Sequence, residues 1–122
     1  MQKTYMVIAV LSALLANLLG AFAAHALKGT LDASSLVVFQ TGVQYQFYHS
    51  LALLILSILM FHIKNQWLNC AGIGFILGCF LFSGSLYLLS ITGIKWLGII
   101  TPFGGFAFLC GWLLLLLGIL KA

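Results

Sequence analysis

The chain has 122 residues, 64% of them hydrophobic and 5% charged, with a formal net charge of +4. A mean hydropathy of +1.24 excludes an ordinary water-soluble domain, whose surface needs several times that share of charge. Arginine is absent and the lysines stand singly at positions 3, 28, 64, 95 and 121, so the positive balance marks interface anchors and no nucleic-acid-binding face.

The first apolar run covers about 5–27. Its basic start and its AFA and AHA patterns also suit a cleaved signal, but the stretch is long for one. On a helical wheel Ala9, Ser12, Ala13, Ala16, Gly20, Ala23 and Ala24 share a sector of roughly 120°, opposite Leu11, Leu15, Leu18 and Phe22. A retained helix with a packing face at Ala16 and Gly20 is expected.

The second run, about 39–61, opens with the polar stretch QTGVQYQFYHS. Thr41, Tyr45 and His49 are four apart and form one stripe with Tyr48 beside it. Gln40, Gln44, Phe47 and Leu51 form the adjacent stripe, and Gln46 points elsewhere.

The third run, about 68–91, carries Gly74 and Gly78 four apart with Ser85 on the same side, and a second strip of Gly72, Cys79, Ser83 and Ser90. The fourth, about 97–120, repeats Gly104, Gly111 and Gly118 at heptad spacing, with Pro102 tolerated in its first turn. Small residues at such spacing mark helix interfaces in lipid.

No Asp, Glu, Lys or Arg falls inside any run. About 20 apolar residues cross a bilayer as a helix, and backbone groups in hydrocarbon must be satisfied within the segment. The expected fold is all-α: an integral membrane four-helix bundle with short loops, a single transmembrane domain over residues 1–122. Trp67 and Trp96 sit at helix ends, where indoles settle at the headgroup level.

Four spans put both termini on one side, with Lys3, Lys64 and Lys121 against Lys28 and Lys95 opposite. The positive-inside rule then places the termini in the cytoplasm. With that topology the polar residues gather in the outer half, whereas the inner half of the second and fourth runs reads LALLILSILMF and LLLLLGIL. No polar path continues inward, which argues against ion translocation.

Two readings of the outer layer follow. In one, its side chains bond to neighbouring helices and fix the bundle's register, each contact contributing about 0.6 to 2 kcal/mol. In the other, His25, Thr41, Tyr45, Tyr48, His49, Ser85 and Tyr87 line an outward-facing polar pocket, an intramembrane histidine being a functional suspect. The first is expected, with Tyr45 and His49 as the residues that decide.

No metal site or cofactor is expected. His25 and His49 fall at different depths unless the second helix begins in the interface, capped by Asp32, Ser34 or Ser35. Cys70, Cys79 and Cys110 lack C-x-x-C spacing, Asp32 is the lone carboxylate, and G-x-S-x-G does not occur. The glycines of TPFGG lack the strand, helix and lysine of a phosphate loop. An enzyme is not expected.

Four segments, GAFAAHALK (20–28), FQTGVQYQFYH (39–49), LFSGSLYLLSITG (81–93) and ITPFGGFAFLCGW (100–112), together resemble the YgdD-like family of small bacterial inner-membrane proteins of unknown function. Ala23 departs from the family's usual glycine but keeps a small residue there. The resemblance implies a four-span inner-membrane protein with termini inside, and it supplies no substrate, cofactor or catalytic residue.

The expected function is that of a non-enzymatic accessory or assembly protein, its partners the lipid bilayer, other membrane proteins or a second copy, and no nucleic acid. The alternative is a binding protein or transporter for a small apolar or amphipathic molecule that uses the outer polar layer. A haem-binding redox subunit is the third reading.

Overall fold

A computed structural model describes all residues, 1–122. It contains four helices long and apolar enough to cross a bilayer: α1 (Gln2–Leu27), α2 (Ala33–Leu59), α3 (Gln66–Thr92) and α4 (Lys95–Leu120). Only 29 of 122 residues are buried, and large apolar side chains on every helix face outward. That exterior suits hydrocarbon and not water.

α2 begins six residues before its apolar run, because Asp32 accepts a hydrogen bond from the Ser35 amide at 2.7 Å and so caps the first turn. Ahead of it, Gly29 turns the chain at φ 94°, a conformation natural to glycine. Asn65 caps α3 by accepting from the Leu68 amide, and its side-chain NH2 donates to Gly118 O at 3.0 Å, tying the start of α3 to the end of α4. Gly93, left-handed at φ 70°, ends α3, and α4 opens with the 3-10 turn Lys95–Ile99.

Two helices change pitch without breaking. α1 finishes in the π-turn Ala23–Leu27, and α3 contains the π-turn Cys79–Ser83. Each such turn inserts extra backbone and re-aims the side chains beyond it.

The glycine and alanine seams are used within the bundle. Gly74 lies against the Gly111 backbone, Gly78 receives the Phe108 ring, Gly104 meets the backbone of Phe82, and Gly118 seats Leu68, so α3 and α4 pack closely. On α1, Ala16 is buried and Gly20 faces Val43 of α2. Ala24, read as part of that packing face, is exposed.

The main core joins Tyr5, Ala9, Ala52, Leu53, Leu56, Met60, Leu68, Ala71, Phe75 and Phe108. It fills the half of the bundle nearer the termini. A smaller cluster of Ala23, Leu27 and Phe39 closes the opposite end between α1 and α2. At the termini side Lys121 lies 5.8 Å over the Trp67 ring, pairing two expected interface anchors.

Candidate functional site

The side chains read as one outer pocket do not line one cavity. His25 is exposed on the π-turn of α1, and Thr41 turns back to donate to Val37 O in its own helix. Tyr48 is 54% exposed, and the Tyr45 ring 5.8 Å from it is 38% exposed and packs against Phe82 of α3 at 4.7 Å. Ser85 is 2.6 Å from the Thr101 hydroxyl, linking α3 to the start of α4. Only His49 and Tyr87 line a common cavity.

The reason is register. The line of α2 that turns inward carries Phe39, Gly42, Gln46, Ser50, Leu53 and Leu56, all buried, while Thr41 and Tyr45 lie one residue away and therefore about 100° around the helix, only His49 of their stripe being buried, against Phe108 and Trp112. Gly42 belongs to this line because a Cβ there would meet Tyr87 Cε1 at 2.8 Å.

His49 is buried and bonded only to protein. Trp112 Nε1 donates to its Nε2 at 3.1 Å, and since indole is a donor only, Nδ1 carries the proton and donates to Tyr45 O at 2.8 Å. Its ring stacks on Phe108 with centroids 3.6 Å apart. This neutral tautomer leaves no nitrogen lone pair for a metal, and no group of three His, Cys, Asp or Glu side chains is gathered anywhere in the molecule.

The polar centre joins Gln46 and Ser50 to residues expected on three separate faces, Ser12 on the packing sector of α1, Ser83 on the second strip of α3 and Tyr87 in the outer layer. Gln46 donates from Nε2 to Ser12 O at 2.9 Å and accepts from the Tyr87 hydroxyl at 2.6 Å, so one amide joins α1, α2 and α3. Ser50 lies 2.7 Å from the Ser12 hydroxyl and 2.6 Å from Gln46 O. Ser83, in the π-turn of α3, donates to Gly42 O at 2.7 Å. The sequence signal for Gln46 was its place between Gly42 and Ser50, each one helical turn away.

This network floors a cleft of about 430 Å³ between α1 and α3. Ile8, Leu11, Leu15 and Leu19 form one wall, Phe75, Ile76, Cys79 and Phe80 the other. At the termini end Tyr5 closes it, its ring against Gly72 and its hydroxyl donating to Asn69 O at 2.7 Å. This is the one side-chain hydrogen bond linking α1 directly to α3. Beyond Tyr5 the two helices stand apart, and the cleft opens sideways.

Comparison with known proteins supplies the lineage. The model described as "Protein of unknown function (DUF423)" matches residues 19–105. The chain belongs to this family. It is similar to the UPF0382 membrane protein YwdK of Bacillus subtilis (strain 168), 42% identical over 127 residues and 98% of each chain. It is also similar to the UPF0382 inner membrane protein YgdD of Escherichia coli (strain K12), 38% identical over 120 residues, with 98% of this chain and 92% of the relative covered. No solved structure matches. As a member of the family, with four apolar helices of membrane-crossing length, the chain is an integral membrane protein.

Proposed function

We propose that this is a non-enzymatic membrane protein of the bacterial inner membrane that holds an apolar molecule taken laterally from the bilayer. The observation that carries the reading is the apolar-walled cleft of about 430 Å³ between α1 and α3, within the size range of ligand pockets. The YgdD relative is named an inner membrane protein, and the lysine distribution supports cytoplasmic termini.

The absence of an enzymatic role is part of the proposal. It is supported by the lone carboxylate, Asp32, being spent as a helix cap, and by His49 having both nitrogens engaged by protein. A general base needs a free lone pair within reach of substrate.

An accessory or assembly role is the second reading, and the outward apolar row Phe103, Phe106, Leu109 and Leu113 of α4 favours it as a contact face. The small-residue seams do not add to it, because they are occupied inside the bundle.

Native mass spectrometry after purification in mild detergent tests the proposal. An apolar mass retained by the wild-type protein and reduced about tenfold in the cleft-filling variant Gly84→Leu is expected. A folded wild-type protein that carries no small molecule after release into lipid nanodiscs overturns it.

A further inference from the structure

Resting on the reading of the cleft as a binding site, we infer that its occupant is the terminal part of a lipid's hydrocarbon tail, held near the bilayer midplane with the headgroup outside the protein.

Depth comes first. The midpoints of α1 (Gln2–Leu27) and α3 (Gln66–Thr92) fall beside Leu15 and Cys79, and both residues line the cleft. From Ile8 to Leu19 the helical rise covers about 16 Å, centred on the hydrocarbon layer and reaching neither headgroup region. At the termini end the Tyr5 hydroxyl, bound to Asn69 O, bridges α1 and α3 one turn before the first lining residue Ile8, and at the other end the Tyr87 hydroxyl is held by Gln46.

Polarity comes second. The oxygen and nitrogen atoms that Ser12, Gln46, His49, Ser50 and Tyr87 bring to the cleft already have protein partners. The Cys79 thiol also lines the cleft but is a weak donor, so a quinone carbonyl or sterol hydroxyl buried there would exchange its hydrogen bonds to water for weak partners at a net cost. A hydrocarbon segment loses nothing, and the walls of Leu11, Leu15, Ile76 and Phe80 match it.

Size suits a hydrocarbon chain. The cleft holds about 430 Å³. A hydrocarbon chain about 4 Å wide fills roughly 200 Å³ over a length of about 16 Å, so one methyl-branched chain or two straight ones fit. The shared chemistry is a hydrocarbon tail, from an acyl phospholipid or a polyprenyl lipid. Gly84 adds to the hollow, since a Cβ there would meet nothing within 4 Å.

The experiment uses the full chain in phosphatidylethanolamine and phosphatidylglycerol vesicles. These are doped with a phospholipid bearing a diazirine at the acyl terminus, one bearing it beside the glycerol, or a polyprenyl phosphate bearing it at the far end. A terminal probe of either kind is expected to label 8–19 and 75–87 more heavily than the lipid-facing row Phe103, Phe106 and Leu109, and the probe that labels more names the source. Gly84→Leu, placed in open space on a helical backbone, and Ile76→Trp are each expected to cut cleft labelling about tenfold while the α4 row keeps its own. Equal labelling of the cleft by the glycerol-proximal probe, or cleft labelling unchanged in both filled variants, overturns the inference and leaves the cleft as a site for something else. Labelling of the cleft no heavier than of α4 by every probe, together with no retained mass, removes both the inference and the reading beneath it.

Discussion

α3 and α4 approach until backbone touches backbone, with Gly74 against Gly111 and Gly104 against Phe82, whereas α1 and α3 separate beyond Tyr5 and leave a cleft of about 430 Å³. Both pairs lie in the same bundle and are equally apolar in composition. The difference teaches that apolarity closes no gap in lipid, because tails solvate leucine as well as another leucine does. Where glycines recur on facing lines, dispersion and close approach draw helices together. α1 spends its small residues on α2, and toward α3 it presents Ile8, Leu11, Leu15 and Leu19.

The largest effect is expected where backbones touch. Gly104→Leu forces side-chain atoms into the Phe82 backbone, an overpacking cost of about 3 kcal/mol or more that shows as loss of the folded band in detergent unfolding titrations. Survival of Gly104→Leu with wild-type stability would mean the close α3–α4 contact is absent in the membrane.

Next comes the floor of the cleft. Gln46→Leu removes the acceptor of the Tyr87 hydroxyl and the donor to Ser12 O, and is expected to cost about 2 kcal/mol by the same titration. Tyr87→Phe in the Gln46→Leu background then costs little, since the hydroxyl it removes is already orphaned; a double-mutant cycle reads this coupling.

Trp112→Phe leaves Nε2 of His49 without its donor and is expected to cost about 1 kcal/mol, while imidazole NMR shows the Nε2 resonance shifted and the Nδ1–H tautomer kept by Tyr45 O. At the cleft itself Gly84→Ala is expected to be neutral to about 0.5 kcal/mol stabilising, from helix propensity with no clash. The contrast in sign between Gly84→Ala and Gly104→Leu is the sharpest statement of the difference between the two helix pairs.

The smallest effect belongs to the cap of α2. The Ser35 amide donating to Asp32 holds its carboxyl below the ordinary carboxylate range. The cap's contribution is therefore full above the unfolded carboxylate's pKa and is lost as pH falls through the lowered folded value. The protection factor of the Ser35 amide, its exchange relative to the intrinsic rate at each pH, should fall over that acidic window, and Asp32→Ala should show low protection at every pH.

Much of the architecture was legible in the sequence, because span number depends on run length and charge, which are local. The seams at Gly74, Gly78, Gly104, Gly111 and Gly118 were legible too, since spacing alone puts them on one line. The polar side chains divide otherwise than the pocket reading has them: Tyr48 faces out, Thr41 bonds back to its own helix and Tyr45 packs on Phe82, while Gln46 with Ser50 looks in toward α1. Both lines have helical period, and polarity alone does not say which one a neighbouring helix covers.

The sequence by itself determined the solvent, the four helices and the lines of closest approach, since each depends on residues within a few turns of one another. Tertiary structure alone decided that Gln46 would join three helices through Ser12 and Tyr87, and that α1 would leave α3 open above Tyr5. The physical reason is that lipid is indifferent between an apolar helix face and its own tails. Helix rotation and pairing are then set by a few hydrogen bonds and close contacts whose partners lie far apart along the chain.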